Sequence, residues 1–160
     1  MHSIRIPIHG FVEFNDWERD IINHPVFQRL RRIRQLAFSE HVYPGSVHTR
    51  FEHSLGVMHV ATQMYDRVFS KHESCLVDRF KLKRAAYNGR VLVRLAALLH
   101  DVGHAPFSHT GEDVMPVRDE KTGARFDHED YSCELIAHEM RDVIDDHPAN
   151  RKQFNIKAQD

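Results

Sequence analysis

Residues 91–109 read VLVRLAALLHDVGHAPFSH, and this stretch decides the fold. Its first half is almost entirely apolar, and its length and leucine and alanine content favour a helix buried on most sides over a strand. Gly103 and Pro106 then predict the end of this helix. His100 and Asp101 therefore lie at the end of a buried helix, where an unpaired polar side chain is costly. Their position requires a partner, and a metal ion is one candidate.

The adjacent pair of His100 and Asp101 can share one ion under one condition. Neighbouring residues on a regular helix point about 100° apart, so both reach the same ion only at a fraying helix end, which Gly103 supplies. An imidazole and a carboxylate suit a divalent cation such as manganese, iron, magnesium, zinc or nickel, without choosing among them. The composition predicts roughly one His-Asp pair by chance, so a structural pair is an equal alternative.

A further candidate ligand lies on the helix that Phe51, Leu55 and Met58 predict by their spacing. Arg50 and His53 are three residues apart near the start of this helix, so they are expected to share one face. That arrangement offers a metal ligand beside an arginine able to bind phosphate. A lone histidine on a helix is more often structural than a ligand, and that alternative stays open.

The rest of the chain predicts mostly helices. Residues 3–14, SIRIPIHGFVEF, predict a short extended segment or hairpin. Residues 26–36, VFQRLRRIRQL, predict a helix whose arginines form a solvated face or, alternatively, bind phosphate. Residues 115–126 predict an exposed hairpin or loop, after which Asp127 can cap a last helix. The charged segment 71–88 shows no pattern that places its boundaries.

The composition fits one all-α domain over residues 1–160, a helical bundle with a short N-terminal extended segment or hairpin. Lys and Arg number 22 against 23 Asp and Glu, without the basic excess of a dedicated nucleic-acid binder. No run approaches the roughly 20 apolar residues of a membrane span, and no signal-peptide pattern is present. Two cysteines suit a reducing compartment, so a cytoplasmic location without membrane contact is expected.

Five motifs follow one another along the chain: PIHGFVEF (7–14), HPVFQRLRRIRQL (24–36), YPGSVHTRFEHSLGV (43–57), LLHDVGHAPFSH (98–109) and FDHED (126–130). In this order they resemble the HD-domain deoxynucleoside triphosphate triphosphohydrolases over almost all of the chain. The resemblance implies a helical HD fold that holds a divalent metal ion by the pattern H…HD…D, which corresponds here to His53, His100 and Asp101. The last Asp of that pattern lies well downstream in the family, and no segment here resembles it. The domain is therefore expected to be incomplete at its C-terminal end.

The resemblance also implies which residues contact the substrate. The phosphates are expected to face Arg50, His104, His109 and His128, and the deoxyribose is expected to contact Gln35 and Leu36. His109 is the expected proton donor to the departing 5′-oxygen, since a histidinium can protonate a leaving group. Glu112 and Glu129 are near enough in sequence to orient or recharge it.

The implied activity is metal-dependent hydrolysis of a deoxynucleoside triphosphate to the deoxynucleoside and inorganic triphosphate, in a homo-oligomer. A metal ion, an arginine and several histidines would serve other phosphoryl transfers equally, so an HD-type phosphatase, phosphodiesterase or nuclease is the alternative. A third possibility is a metal- or nucleotide-binding chain that is catalytically incomplete until a missing C-terminal segment or a partner chain joins it.

Overall fold

The structure is a computed structural model that describes residues 1–80 and 83–159, with side chains except those of residues 73–74 and 76–87. The described α-helices are α1 (Asp16–Asn23), α2 (Pro25–Gln28), α3 (Arg50–Phe80), α4 (Lys83–Leu99), α5 (His128–Glu134), α6 (Arg141–Asp145) and α7 (Pro148–Gln153). Shorter helical segments are the 3-10 turns Arg29–Arg32, Ser39–His41 and Ser108–Val114 and the π-helical turn Leu135–Glu139. The described strands are β1 (His2–Ile6), β2 (Gly10–Phe14), β3 (Val117–Asp119) and β4 (Ala124–Arg125).

Two small antiparallel sheets accompany the helices. β1 and β2 pair so that Ile6 lies opposite Gly10, whose φ of 69° is a left-handed conformation that glycine adopts without steric cost. This confirms the predicted N-terminal hairpin. β3 and β4 form a second hairpin within residues 115–126. The all-α prediction is therefore corrected to a mostly helical domain with two hairpins, because both short alternating segments find pairing partners across a turn.

The helix predicted for residues 26–36 is shorter than expected. α2 gives way to the first 3-10 turn, and Ile33 then has an extended backbone with φ −110° and ψ 116°. The main-chain N–H of Arg50 donates to the Ile33 carbonyl at 2.9 Å, and that of Gln35 donates to the His48 carbonyl at 3.1 Å. These hydrogen bonds with the start of α3 and the residues just before it replace the helical ones, so tertiary contacts override the local helical pattern.

α3 and α4 are the two long helices of the domain, and they pack against each other. α3 continues to Phe80 and contains one non-helical residue, His72, with φ −126° and ψ 17°. Segment 71–88, whose boundaries the sequence did not place, thus belongs to α3 and α4, except that residues 81–82 lie outside the described residues. Among the helices that the structure describes, none is both long enough and apolar enough to cross a membrane.

A buried ion pair ties the core together. Side chains that are at most 1% exposed include Trp17, Phe27, Leu55, Leu98 and Met140. Arg94 of α4 donates to the Glu18 carboxylate of α1 through Nε at 2.6 Å and Nη2 at 2.9 Å. Its Nη1 also donates to Thr62 Oγ1 of α3 at 2.7 Å. One guanidinium therefore joins three helices.

The C-terminal residues pack back onto α1. The last predicted helix is divided into α5, the π-helical turn and α6. The Trp17 indole stacks with the rings of His147 and Phe154 at centroid distances of 6.1 and 5.9 Å. Its Nε1 donates to the Val143 carbonyl at 3.0 Å. α6 and α7 thus complete the core around α1.

Candidate metal centre and histidine cluster

Three predicted metal ligands meet where the start of α3 faces the end of α4. Asp101 Oδ1 lies 3.3 Å from His100 Nε2, and Asp101 Oδ2 lies 3.6 Å from His53 Nε2. One donor atom from each residue lies within 4.8 Å of the other two. Donors held at about 2.1 Å from one tetrahedral ion are roughly 3.4 Å apart. This metal trio, as we call these three residues, could therefore hold a divalent cation without a large rearrangement.

Two histidines of the metal trio have nitrogens suited to coordination. His100 Nδ1 lies 2.8 Å from the Ala97 carbonyl oxygen, to which its N–H can donate. The lone pair then resides on Nε2, which faces Asp101, as in metal sites where an outer hydrogen bond fixes the tautomer. Burial lowers the pKa of His53, more than the nearby Asp101 charge raises it. His53 is therefore neutral at neutral pH, the form that binds metals.

Asp101 is buried and still ionised. Burial by itself would raise the pKa of Asp101, but the charges of His100 and Arg50 outweigh burial and hold the pKa below its usual value. Arg50 Nη1 donates to Asp101 Oδ2 at 2.6 Å, and Arg50 Nη2 donates to Ser108 Oγ at 2.6 Å. Arg50 Nε is buried and has no hydrogen-bond partner among the described residues. Arg50 thus lies at the metal trio, while its contact with phosphate stays a prediction.

A second group of side chains adjoins the metal trio. This His cluster consists of His104, His109, Glu112 and His128, which have donor atoms within 4.8 Å of one another. The rings of His104 and His128 are stacked with centroids 3.8 Å apart, and His109 lies edge-on to both at 5.1 Å. His104 Nε2 lies 3.6 Å from Asp101 Oδ1. The two groups therefore share a boundary at Asp101 and His104.

The His cluster contains one neutral imidazole and one ionised carboxylate. Burial, reinforced by the charge of Arg50, lowers the pKa of His104 to about 3, so this ring is neutral at neutral pH. Glu112 Oε1 lies 2.6 Å from His128 Nδ1 and 3.1 Å from His109 Nδ1. Desolvation raises the pKa of Glu112, but these hydrogen bonds outweigh it and hold the pKa below its usual value. Glu112 can therefore stabilise a protonated His109 or His128.

The loop between His104 and His109, two members of the His cluster, has strained backbone. Phe107 and Ser108 have φ values of 73° and 56°, the left-handed region that costs a non-glycine residue about 1–3 kcal/mol. The hydrogen bond from Arg50 to the Ser108 hydroxyl holds this loop against α3. Strain that the surroundings maintain is typical of functional sites.

Two residues that sequence reasoning did not single out hold the turn after α4. Arg29 donates to the His104 carbonyl through Nη1 at 2.6 Å and to the Val102 carbonyl through Nη2. Ser132 Oγ accepts from the Gly103 N–H at 2.8 Å and donates to the His100 carbonyl at 3.0 Å. The sequence interpretation placed Arg29 on a solvated or phosphate-binding face. The spacing of the residues gives no sign of this role, because the helical face predicted for residues 26–36 is interrupted where Ile33 has an extended backbone.

Three predicted site residues lie apart from these contacts. Glu129 is exposed, and no described hydrogen bond or ion pair joins its side chain to the His cluster. The side-chain oxygen of Gln35 is buried without a hydrogen-bond partner in the described part of the chain, and Leu36 is 45% exposed. A cavity of about 700 Å³ adjoins His53, and neither Gln35 nor Leu36 lines it. The structure brings Glu112, but not Glu129, to His109.

Comparison with known proteins identifies the family. The HD domain model matches residues 50–149, which is more than half of the chain and includes both groups of side chains. The chain belongs to the HD domain family.

Several curated proteins are similar to this chain. The deoxynucleoside triphosphate triphosphohydrolase SAMHD1 homolog of Dictyostelium discoideum is 38% identical over 141 residues, and SAMHD1 of Mus musculus is 38% identical over 134 residues. The uncharacterized protein YwfO of Bacillus subtilis is 37% identical over 141 residues. These matches cover 88%, 82% and 81% of this chain but 24%, 19% and 26% of the three proteins. The resemblance seen in the motifs is thereby confirmed, and the chain spans about a fifth to a quarter of the length of these relatives.

Proposed function

We propose that this chain contains the reaction centre of a metal-dependent phosphohydrolase that converts a deoxynucleoside triphosphate to the deoxynucleoside and inorganic triphosphate. The observation that supports this most is the shared boundary, where His104 Nε2 lies 3.6 Å from Asp101 Oδ1. It joins a donor set for a divalent cation to a group of histidines with a carboxylate. Hydrolysis of a phosphate ester needs charge stabilisation and a proton donor, which these two groups could supply.

The metal trio is the proposed metal site. His53, His100 and Asp101 would hold a manganese, iron, magnesium, zinc or nickel ion, since two imidazoles and a carboxylate accept any of these. When bound, such an ion polarises a phosphate oxygen and lowers the pKa of a water molecule. Three protein donors leave coordination positions open, as in catalytic sites.

Arg50 is proposed to stabilise the negative charge that develops on the phosphate. Its guanidinium is buried and held in place by Asp101 and Ser108, so it needs no reorganisation during the reaction. The neutral His104 and the partly buried His128, both in the His cluster, would donate hydrogen bonds to the phosphate.

His109 is the proposed proton donor. Its Nδ1 lies against Glu112 Oε1, so the imidazolium can give up its Nε2 proton while Nδ1 stays bonded to the carboxylate. Water adds to the α-phosphorus and releases one proton to the solvent, the bond from phosphorus to the 5′-oxygen breaks, and that oxygen takes the proton of His109. The His109 side chain is 69% exposed, which leaves it accessible to a substrate. Glu129 is the proposed second carboxylate that recharges the histidine after turnover.

The remaining predicted contacts are part of the same proposal. Gln35 and Leu36 would contact the deoxyribose. The relatives that carry an enzyme name are deoxynucleoside triphosphate triphosphohydrolases, and this supports the choice of substrate class. We propose that the chain forms a homo-oligomer in the cytoplasm. In it, a second copy or another chain can supply further metal ligands.

Product analysis tests the proposal. The protein is loaded with manganese and incubated with each of the four deoxynucleoside triphosphates, and the products are separated by ion-exchange chromatography. We expect deoxynucleoside and inorganic triphosphate in equal amounts, with a loss of about 10²–10⁴-fold in kcat for His109→Gln, as for removal of a general acid. His138→Gln, at an exposed histidine that pairs with Glu134 and belongs to neither group, is the matched control.

The products also separate the alternatives. Orthophosphate, pyrophosphate or cleaved oligonucleotide would identify a different HD-type phosphohydrolase and contradict the proposed reaction. Metal binding without turnover of any nucleotide would instead indicate a binding module. A His109→Gln protein with full activity would remove His109 from the mechanism.

A further inference from the structure

The turn after α4 presents His100, Asp101 and His104 within five consecutive residues, so its backbone sets the positions of both groups of side chains. The last carbonyls of any α-helix lack intrahelical partners, and so do the groups that follow. Here the Val102 N–H donates to the Leu99 carbonyl at 3.0 Å and the His104 N–H donates to the Asp101 carbonyl at 3.1 Å. The carbonyls of His100, Val102 and His104 depend on side chains from elsewhere.

Arg29 supplies two of the required donors. Its two terminal nitrogens donate to the carbonyls of Val102 and His104, which lie on either side of Gly103. Arg29 is half-buried, and burial lowers its pKa, yet a guanidinium stays charged over the whole physiological range. Its planar, rigid fork fixes the separation of the two acceptors, which a single ammonium cannot do. The positive charge also lies at the C-terminal end of α4, where the helix dipole favours it.

Ser132 supplies the third donor and links the turn to α5. Its hydroxyl bonds the backbone on both sides of Asp101, as acceptor for Gly103 and donor to His100. α5 can come this close only because residue 103 is glycine. A Cβ atom there would lie 2.3 Å from the Ser132 nitrogen and 2.3 Å from the His128 carbonyl oxygen. The same helix carries His128, which stacks on His104.

We propose that Arg29 and Ser132 are positioning residues that fix the metal trio relative to the His cluster. This inference rests on the metal site proposed above. Neither side chain contacts a donor atom of the metal trio in the described hydrogen bonds; both act through main-chain atoms of the turn. Without Arg29, the carbonyls of Val102 and His104 lose their donors, and the turn can shift toward water. Asp101 and His104, which it carries, then lose their register with His53 and His128.

Metal affinity is the quantity that separates positioning from general stabilisation. Outer contacts of metal ligands typically contribute about 10–100-fold to affinity. We expect Arg29→Gln to weaken manganese binding by about that factor, measured by equilibrium dialysis with the full chain. Arg29→Lys, which keeps the charge and one donor, should recover part of the loss. Ser132→Ala should also weaken binding. Arg32→Gln, an exposed arginine on the same 3-10 turn, is the matched control and should bind as the wild type does.

Two further measurements keep the test decisive. The absorption spectrum of bound cobalt reports coordination geometry, and it should change in Arg29→Gln and Ser132→Ala but not in Arg32→Gln. The thermal midpoint of the metal-free protein reports folding alone. If Arg29→Gln does not fold, Arg29→Lys and Ser132→Ala carry the test.

The outcomes distinguish the two proposals. Variants with a lowered metal-free midpoint but wild-type manganese affinity and cobalt spectrum would overturn the positioning role and leave the metal site intact. A wild-type protein that binds neither manganese nor cobalt would overturn the metal site itself, and the positioning role with it.

Discussion

Two buried arginine–carboxylate pairs, Glu18–Arg94 and Arg50–Asp101, differ in how fully their polar atoms are used. Arg94 donates from all three nitrogens, to Glu18, to Thr62 and to the Glu13 carbonyl. Arg50 donates to Asp101 and Ser108, while its Nε is buried without a partner among the described residues. The first pair is satisfied within the protein, whereas the second has binding capacity left over.

The surroundings of the two carboxylates differ in the same way. Asp101 has three imidazoles within 3.6 Å of its oxygens, besides Arg50. Glu18 faces Arg94 and the main-chain N–H of Asn15, its partner in the capping box of α1. Burial is nearly equal, since both carboxyl side chains are at most 6% exposed. Burial is therefore common to both pairs, and the unpartnered Arg50 Nε and the neighbouring imidazoles distinguish the Arg50–Asp101 pair from the Glu18–Arg94 pair.

The largest expected effect comes from breaking the satisfied pair. Arg94→Met leaves the Glu18 charge buried without its partner and should lower the free energy of unfolding by about 3–5 kcal/mol. Urea denaturation measures this. The double variant Glu18→Leu with Arg94→Met removes both charges and should recover most of the loss. Equal stability of Arg94→Met and the wild type would show that the pair does not stabilise the core.

Substitution in the metal trio should change metal binding and leave the stability of the metal-free protein nearly unaltered. His100→Ala alters a side chain that is 37% exposed, so the metal-free protein should lose little stability. Manganese at 100 times its dissociation constant should stabilise the wild type by about 2.7 kcal/mol, and His100→Ala should lose this increment. Thermal unfolding with and without the metal measures it, and His138→Ala is the control. An unchanged increment in His100→Ala would exclude His100 as a ligand.

A smaller effect is expected from the third partner of Arg94. Thr62→Val keeps the shape of the side chain but removes the hydroxyl that accepts from Arg94 Nη1. A buried donor left unsatisfied costs about 1–3 kcal/mol, which urea denaturation can resolve. Thr110→Val, at an exposed threonine whose side chain makes none of the described hydrogen bonds, tests whether the substitution itself is harmful. A neutral Thr62→Val would mean that water or a shifted side chain replaces the hydroxyl.

The smallest effect is expected at the exposed pair of Asp66 and Arg90. Two hydrogen bonds of 2.7 and 2.9 Å join them, yet the Asp66 side chain is 49% exposed, so the pair should contribute less than about 1 kcal/mol. The hydrogen bond from Arg90 lowers the pKa of Asp66 below 3.8. Its contribution is thus fully present above about pH 3.8 and is lost as the pH falls through the folded pKa.

Comparing the wild type with Asp66→Asn between pH 2 and pH 7 checks this pH dependence. The difference in stability should vanish at the acid end. A difference that grows as the pH falls would contradict the assignment.

The sequence predicted the helical core in outline, and the structure brings His53, His100 and Asp101 close together, while their role as metal ligands stays a prediction. An apolar run that ends in a polar pair indicates a buried helix whose last polar side chains need a partner. Helical spacing predicted that Arg50 and His53 share one face. The family motifs indicated which of these residues come together. The hydrogen bond between Ile33 and Arg50, the first residue of α3, could not be predicted, because residues 26–36 have a helical pattern that only tertiary hydrogen bonds override.

The contacts between side chains and backbone were also beyond the sequence. Arg29 and Ser132 bond main-chain carbonyls and an N–H group, and such bonds leave no periodic pattern and no pair of opposite charges to find. The Glu18–Arg94 pair joins residues 76 positions apart, which local spacing cannot connect. Glu112 lies between His109 and His128, and its position depends on the strained turn at Phe107 and Ser108. The residue types at these two positions do not predict such a turn.

Trp17 is a fluorescent probe of one of the two regions. It is the single tryptophan of the sequence, and it adjoins Glu18 and stacks with two rings from the C-terminal segment. Its fluorescence therefore follows the docking of α6 and α7 on α1, the side of the domain that holds the satisfied pair. Cobalt bound at the metal trio would absorb visible light. One sample can thus report the two regions at separate wavelengths, and a denaturant titration read at both would show whether they unfold together.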